Sequence, residues 1–229
     1  IDLQYIPTLL FGILTMKKTV LVTGFAPFGG ETLNPSWQVA KQLHGWQPIA
    51  EVEVVAVELA CAFLESAEQL SQLIAKLQPC LVLAIGQAGG RTQICLEHVA
   101  INLIEARIPD NAGRQPSGVP VVEGGPDAYF CQLPLKSMLK ALHQHAIPAA
   151  ISYTAGTYVC NSTFYHLCHL RKKMHLPVGF IHIPYAPSQT ISNGVASLGL
   201  DLALTAVKLC IQVALTSNND DSYQTGTLD

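Results

Sequence analysis

A cysteine and a histidine stand where they could act together as a nucleophile and its base. Cys160 lies within residues 156–164, after the apolar run 149–153 and before apolar residues at helical spacing. This order predicts a strand, a tight turn and the start of a helix. Unpaired N–H groups and the positive end of the helix dipole favour an anion at such a position, so they shift a thiol toward the reactive thiolate.

His182 ends the apolar run 178–184, which follows the helix that Cys160 begins. In an open parallel sheet, ligands bind at the carboxyl ends of the strands, so His182 could reach a nucleophile there. Each residue also has a purely structural alternative, because a free cysteine is often buried and inert and a core histidine is often bonded to backbone. Position alone leaves both interpretations open.

A third residue would have to orient the imidazole, and three acidic residues lie near the predicted cleft. They are Glu97, Glu105 and Asp110. Glu97 precedes the alternating segment 99–102, where a carboxylate on a partly apolar face is costly unless an imidazolium pairs with it. Composition does not choose among the three acids.

The elements that must position these residues alternate between strands and helices. Apolar runs at 19–25, 51–59 and 80–86 predict strands, and the spacing at 35–43 and 65–77 predicts helices between them. Further segments predict helices at 134–145 and 198–215 and strands at 149–153 and 178–184. This rhythm predicts the α/β class: a single-domain three-layer α/β/α sandwich with a mostly parallel twisted sheet.

Composition excludes several classes of protein. Of the 229 residues, 49% are hydrophobic and 13% charged, and the net charge is -3, so neither a disordered chain nor a basic surface for nucleic acid is indicated. No apolar run reaches the roughly 18 to 20 residues that a membrane span needs. A charged fraction this low is compatible with an oligomer, in which other copies of the chain cover part of the apolar surface.

The seven cysteines and the histidines give no sign of a metal or cofactor site. No Cys-x-x-Cys pair occurs, and the helical pair His166 and His169 lacks a second pair of ligands at suitable spacing. We expect no metal and no cofactor. Without a secretion signal, reduced thiols in the cytoplasm are the default.

The chain divides into one domain and two terminal segments. Residues 1–15 are expected to be an N-terminal extension, non-native or disordered, because Met16, Lys17 and Lys18 followed by a strand form a natural start. Residues 16–216 form the single α/β domain. Residues 217–229 are polar and acidic and are predicted to be a disordered tail.

Seven sequence blocks, in one order from about residue 17 to 215, resemble the pyrrolidone-carboxylate peptidase family, also called pyroglutamyl peptidase I. The blocks are GFAPFGG at 24–30, NPS at 34–36, GQAGGR at 86–91, EHVAIN at 97–102, ARIPDN at 106–111, GTYVCN at 156–161 and FIHIPY at 180–185. Their shared order makes the resemblance far more specific than any single motif.

The resemblance implies a cysteine exopeptidase that hydrolyses the amide bond after an N-terminal pyroglutamyl residue through a thioester acyl-enzyme. It implies Cys160 as the nucleophile, His182 as general base and acid, and Glu97 as the orienting carboxylate. Its further implied positions are Phe25, Phe28, Gln87, Tyr158 and Val159 around the lactam ring, with Arg91 beside the Cys160 N–H at the oxyanion. It also implies peptide substrates with N-terminal pyroglutamate and a homotetramer.

Two other functions compete with this interpretation. A nucleotide-binding module could use the glycine-rich loop 24–30, although no Lys-Ser/Thr follows Gly30 and two phenylalanines in the loop are poor phosphate partners. A non-catalytic protein that binds pyroglutamyl termini would keep the fold without the activity, although all three catalytic residue types are present.

Overall fold

The part of the chain that the structure describes contains eight strands, and six of them form the central sheet. The structure is a computed structural model that describes residues 17–192, 194–217, 220–223 and 225. The strands are β1 (Lys18–Phe25), β2 (Val52–Leu59), β3 (Leu81–Gln87), β4 (Ile94–Glu97), β5 (Val99–Ile101), β6 (Ala128–Phe130), β7 (Ala149–Ser152) and β8 (Val178–Ile183). The central sheet has the order β2-β1-β3-β8-β4-β7, and β5 pairs with β6 in a separate antiparallel ribbon.

Helices cover the two faces of the central sheet. They are α1 (Pro35–Ala40), α2 (Phe63–Leu77), α3 (Leu135–Gln144), α4 (Val159–Met174) and α5 (Leu200–Thr216), with short 3-10 turns at Lys41–Leu43 and Pro187–Gln189. Helix α5 packs against α1 and α3, whereas α2 packs against α4. This arrangement confirms the predicted single-domain α/β fold.

The two central strands, β3 and β8, are buried at every residue. Parallel strands covered by helices on both faces have no solvent side, so continuous apolar runs suit them better than alternating ones. Both runs were therefore recognisable in the sequence as buried strands. Their carboxyl ends, at Gln87 and Ile183, lie side by side in register.

Strand β4 does not run parallel to its neighbour β8. Strands β1, β2, β3 and β8 run parallel, but β4 runs antiparallel to β8, and β7 pairs parallel with β4. The connection from β3 to β4 contains no crossover helix, and a short connection of this kind allows the chain to reverse its direction. The alternation of strands and helices in the sequence did not predict this reversal.

The terminal segments are only partly described. The predicted N-terminal extension, residues 1–15, lies outside the described residues. In the predicted tail, Asp220 accepts a hydrogen bond from the Ser137 backbone N–H at 3.0 Å and Asp221 pairs with Lys140 at 2.7 Å. Across the described ranges, no helix combines the length and the apolar character that a membrane crossing requires.

The loop after β1 is fixed by contact between backbones. The Asn34 side chain accepts the Ser36 N–H at 3.0 Å and thereby caps α1, and Ser36 Oγ accepts the Phe25 N–H at 3.0 Å. A Cβ atom at Gly24 would lie 2.6 Å from backbone atoms of Ser36 and Trp37, which cannot move without shifting the helix. Glycine at position 24 therefore allows α1 to approach the sheet.

Replacing Gly24 with alanine should destabilise the fold. Because the new methyl group meets backbone, we expect Gly24→Ala to lower the free energy of unfolding by about 1–3 kcal/mol, measured by chemical denaturation. Gly199→Ala is the comparison variant, since a Cβ atom there meets nothing within 4 Å and its φ of -59° suits alanine. Because Gly199 is the N-cap of α5, this variant should lose only about 0.5 kcal/mol. Equal midpoints for the two variants would contradict the proposed backbone clash.

Candidate active site

Cys160 lies against the carboxyl ends of the two central strands. Gly86 of β3 is the register partner of His182 on β8. A Cβ atom at Gly86 would lie 2.9 Å from Cys160 Sγ and 2.9 Å from the Phe180 ring, which itself packs 4.9 Å from the His182 ring. The absence of a side chain at Gly86 thus allows the thiol to sit on the sheet beside the histidine.

The turn before α4 leaves the first amides of that helix open. Gly156 has a φ of 80°, a left-handed conformation that glycine adopts without strain, and Tyr158 is the extended N-cap residue. No side chain caps the helix, and no protein acceptor for the Cys160 N–H is found among the described residues. Cys160 is the second residue of α4, so its N–H remains available to an anion.

His182 and Glu97 form a buried hydrogen-bonded pair. Nδ1 of His182 lies 2.7 Å from Oε1 of Glu97, with the two residues 3% and 0% exposed. A carboxylate only accepts hydrogen bonds, so the Nδ1 atom carries the proton and donates it. The other ring nitrogen, Nε2, is left to take a proton from the thiol.

The structure separates the three acidic candidates by their partners. Asp110 accepts the Phe63 N–H at 2.9 Å at the start of α2. Glu105 is exposed and accepts the Gly118 N–H at 2.7 Å within its own loop. Glu97 alone of the three contacts the histidine, so hydrogen bonding distinguishes it where composition did not.

Arg91 holds the same carboxylate from the other side. Its Nη1 donates to Glu97 Oε1 at 2.7 Å and to Ser152 Oγ at 3.2 Å, and its Nη2 donates to the Thr154 carbonyl at 2.8 Å. Burial lowers the pKa of the guanidinium, but Glu97 and Cys95 outweigh burial, so the net shift is upward. Three of the five N–H groups of the guanidinium thus donate to protein acceptors, and these contacts hold Arg91 beside Glu97.

The thiol of Cys160 is less acidic than its helix position alone suggests. Burial raises its pKa well above the usual value, Cys61 and Glu97 raise it further, and Arg91 opposes them. Desolvation is the largest of these causes. A thiol whose pKa is raised needs a base to take its proton before the sulfur can attack.

Aromatic rings form one wall next to the cysteine. The rings of Phe28 and Tyr158 lie 6.0 Å apart, and Tyr158 makes an edge-to-face contact with Phe63 at 5.3 Å. The Tyr158 hydroxyl donates to the Pro109 carbonyl at 3.0 Å, which fixes the ring. Phe28 and Tyr158 are both partly exposed, so their faces can meet a flat ligand.

Two other residues predicted to bind the ring are covered by protein. Phe25 is 1% exposed and packs against Phe180 at 6.3 Å, and Val159 is 0% exposed. Both side chains belong to the hydrophobic core. Of the aromatic residues expected around the ring, Phe28 and Tyr158 are therefore the ones with exposed surface.

Gln87 reaches the same region at the end of β3. Its side-chain Oε1 lies 3.1 Å from Nε2 of Gln189, and the residue is 7% exposed. No protein partner of Gln87 Nε2 is present in the part of the chain that the structure describes. That amide group can therefore bond to a ligand.

Two residues in the site were missed by sequence reasoning. Asn161 follows the cysteine and pins α4 to β5, because its side chain bonds to the Ile101 N–H at 3.0 Å and the Ile101 carbonyl at 2.9 Å. Gln189 donates from its Nε2 to Gln87 Oε1 at 3.1 Å. A buried asparagine next to the cysteine was a usable signal, whereas nothing in the sequence links residues 87 and 189.

An open groove of about 330 Å³ lies at the opposite end of the sheet. Its lining includes Cys80, Met174 and His175, next to the amino ends of β3 and β8. Ligands of open α/β sheets bind at the carboxyl ends, and the hydrogen-bonded histidine and carboxylate are found there. We therefore do not assign the active site to this groove, despite its volume.

A thiol at a helix start, beside a histidine held by a carboxylate on an α/β sheet, defines a cysteine hydrolase of the acyl-transfer type. Comparison with known proteins gives the family. The model of the family described as "Pyroglutamyl peptidase" matches residues 18–217. The chain belongs to this family, whose members are cysteine exopeptidases.

Named relatives and solved structures match almost the whole chain. A pyrrolidone-carboxylate peptidase of Enterococcus faecalis is 48% identical over 211 residues, covering 91% of this chain and 98% of that protein. The crystal structure of pyroglutamyl peptidase I from Bacillus amyloliquefaciens has a TM-score of 0.88 and 46% identity, covering 92% of this chain and 100% of its own. A mutant pyrrolidone carboxyl peptidase from Pyrococcus furiosus has a TM-score of 0.84 and 41% identity, covering 86% and 98%.

These comparisons confirm the resemblance seen in the sequence and the assignment as a cysteine peptidase of the hydrolase class. The alternative of a nucleotide-binding module is not supported by them, because the glycine-rich loop 24–30 falls within the matched family segment.

The raised pKa of Cys160 predicts how the thiol reacts with an alkylating reagent. Because only the thiolate reacts, we expect the rate of Cys160 alkylation by iodoacetamide to keep rising above about pH 8.5, the ordinary pKa of cysteine. The rate is followed by mass spectrometry of the peptide that contains Cys160. A plateau below about pH 7 would instead indicate a thiolate–imidazolium pair and contradict this expectation.

The other thiols provide the background for that measurement. All seven cysteines are free, and burial raises the pKa of Cys61 and Cys210 to about 12 and that of Cys131 to about 11. These buried thiols react slowly at any pH used. Cys160→Ser corrects for whatever alkylation remains.

Proposed function

We propose that this chain removes an N-terminal pyroglutamyl residue from peptides, with Cys160, His182 and Glu97 as its catalytic groups. The observation that carries the proposal is the 2.7 Å hydrogen bond between His182 and Glu97, next to a cysteine at the open start of a helix. The names of the relatives support the same substrate class.

The first half of the reaction forms a thioester. The Cys160 thiol gives its proton to Nε2 of His182 as sulfur attacks the main-chain carbonyl carbon of the pyroglutamyl residue, which joins it to the next residue. The ring carbonyl does not react. The negative charge that develops on the carbonyl oxygen faces the Cys160 N–H and the start of α4. His182 then gives the proton to the departing amine, the C–N bond breaks and the acyl group remains on sulfur.

The second half returns the enzyme to its starting state. Water loses a proton to His182 as its oxygen attacks the thioester carbon. The C–S bond breaks, sulfur recovers the proton from the imidazolium, and pyroglutamate leaves as the free acid. Glu97 keeps the imidazole in one tautomer and stabilises its charged form during both halves. No step requires a metal or a cofactor.

The lactam ring is proposed to lie in the slot formed by Phe28 and Tyr158. The ring is small, flat and neutral, so an apolar slot with one amide partner, Gln87, can select it. Phe25 and Val159 are both buried in the hydrophobic core. A charged amino terminus would lose its hydration in this slot without finding a counter-ion, which disfavours ordinary peptides.

Arg91 is proposed to be a positioning residue for Glu97. Its nitrogens donate to Glu97, Ser152 and Thr154, so it connects the carboxylate to the end of β7. The role that the family resemblance implies for Arg91, a second oxyanion donor beside the Cys160 N–H, is the alternative to this proposal.

The setting we propose is the cytoplasm, with copies of the chain assembled into a homotetramer. Seven free cysteines, one of them the nucleophile, suit a reducing compartment. Large exposed apolar side chains, such as Phe130 at 58% and Met174 at 48%, support burial of part of the surface between copies. The molar mass in solution, measured by light scattering, tests the assembly.

Removing the nucleophile should abolish hydrolysis without unfolding the chain. We expect Cys160→Ala to release no fluorophore from a pyroglutamyl-amide substrate, while the wild-type chain releases it and loses this activity after alkylation. Cys80→Ala is the matched control, because Cys80 is a partly exposed thiol at the other end of the sheet. Turnover by a folded Cys160→Ala protein would refute the assignment of the nucleophile.

Substitution of Arg91 separates the two roles considered for it. If Arg91 positions Glu97, Arg91→Met should lower kcat/KM by about 10- to 100-fold. In a Glu97→Gln background, Arg91→Met should then add little to the loss, because residues that act through one another are not additive. Arg91→Lys should retain much of the rate, because its ammonium group can still donate to Glu97. A further loss of about 10²- to 10³-fold in kcat from Arg91→Met in the Glu97→Gln background would indicate an oxyanion donor instead.

A further inference from the structure

Three side chains form a hydrogen-bonded chain next to the proposed ring site. Gln189 lies at the end of the 3-10 turn Pro187–Gln189 that follows β8. Its Nε2 donates to Gln87 Oε1 at 3.1 Å and to Glu31 Oε2 at 3.2 Å. Its Oε1 accepts the Ala186 backbone N–H at 2.9 Å. The proposed function uses only Gln87 from this group.

The partners of Gln189 allow a single orientation of its amide. A backbone N–H can only donate, so the atom facing Ala186 must be the oxygen. A carboxylate can only accept, so the atom facing Glu31 must be the NH₂ group. Two independent partners at opposite sides of the amide therefore agree on the same assignment.

The orientation of Gln189 determines that of Gln87. Because the Gln189 NH₂ group faces Gln87, the Gln87 atom that meets it must be its carbonyl oxygen. The NH₂ group of Gln87 then faces away from Gln189. Among the described residues it has no acceptor, so this group is left to donate to a ligand.

We propose that Gln189, held by Glu31 and the Ala186 N–H, is a positioning residue that turns the Gln87 side chain into a donor for the ring carbonyl. This inference rests on the proposed function and adds a criterion of specificity to it. The site then selects a ring that carries a carbonyl oxygen, the feature that distinguishes pyroglutamate from proline. Without Gln189, the Gln87 amide could rotate and present its own oxygen, which repels that carbonyl.

Three variants test the role of Gln189 in the full-length chain. Gln189→Met keeps the side-chain length but removes the amide, that is, the N–H groups that donate to Gln87 and Glu31 and the oxygen that accepts the Ala186 N–H. It should raise KM for a pyroglutamyl-amide substrate by about 5- to 10-fold with little change in kcat. Gln189→Glu places an acceptor opposite Gln87 and should raise KM further, because the Gln87 NH₂ group turns toward the new carboxylate. Gln189→Glu also places a second carboxylate next to that of Glu31. The double variant Gln189→Glu with Glu31→Gln removes this repulsion, because position 31 then carries a neutral amide.

The double variant separates positioning from a merely structural role. If Gln189 only stabilises the fold, relief of the repulsion should restore both the unfolding midpoint and KM, and that result would overturn the inference. If Gln189 orients Gln87, the midpoint should recover while KM stays raised. Gln69→Met is the matched control, because Gln69 also accepts a backbone N–H, that of Ala60 at 2.9 Å, and does not contact Gln87. Its KM should equal that of the wild type.

Two small ring compounds test which group of the ring Gln87 meets. 2-Pyrrolidinone carries a carbonyl and an N–H, whereas cyclopentanone carries the carbonyl alone. Their affinities are read from the protection they give Cys160 against iodoacetamide, a measurement that does not require turnover. Gln189→Met should weaken both compounds by the same factor. If only 2-pyrrolidinone is weakened, Gln87 accepts from the ring N–H and the inference is wrong.

These outcomes are distinguishable from failure of the proposed function itself. A wild-type chain that hydrolyses no pyroglutamyl amide would refute the function, whatever the ring compounds do. A wild-type chain that hydrolyses it, with KM unchanged in Gln189→Met and Gln189→Glu, would leave the function standing and overturn the role of Gln189.

Discussion

The active end of this molecule depends on one buried carboxylate. Glu97 is fully buried, and a buried charge is stable only when it is paired and hydrogen-bonded. Its Oε1 accepts from His182 and from Arg91, both at 2.7 Å, so one atom joins β4 to β8 and to the loop after β3. Ser152 extends the network to β7. The antiparallel placement of β4 beside β8 brings the carboxylate within reach of the imidazole.

A second constraint is the close approach of α4 to the sheet. Gly86 leaves space for the Cys160 sulfur, and Asn161 pins the first turn of the helix to β5. The same packing that positions the thiol also desolvates it in part and raises its pKa. Position and activation therefore oppose each other here. In the proposed mechanism, the histidine–carboxylate pair resolves this conflict by accepting the proton as sulfur attacks.

The sequence predicted those parts of the structure that depend on local pattern. Continuous apolar runs located β3 and β8, and the turn with Gly156 located the start of α4 and hence Cys160. The choice of Glu97 over Glu105 and Asp110 needed either the family resemblance or the structure, because the pairing of β4 with β8 is a long-range contact with no local signal. The contacts of Arg91 and Gln189 were not predicted for the same reason. Hydrogen-bond partners far apart in the chain decide them.

The proposed ring site uses neutral groups next to the ligand and keeps charge one residue away. Glu31 contacts Gln189 rather than Gln87, so its carboxylate fixes an orientation without presenting a charge to the ring. A charged side chain in direct contact would lose hydration each time the small ring bound. A negatively charged side chain there would also attract the free, positively charged amino terminus of ordinary peptides, which peptides that begin with pyroglutamate lack. A neutral donor whose direction is fixed from behind can therefore select the carbonyl of a neutral lactam without favouring its charged competitors.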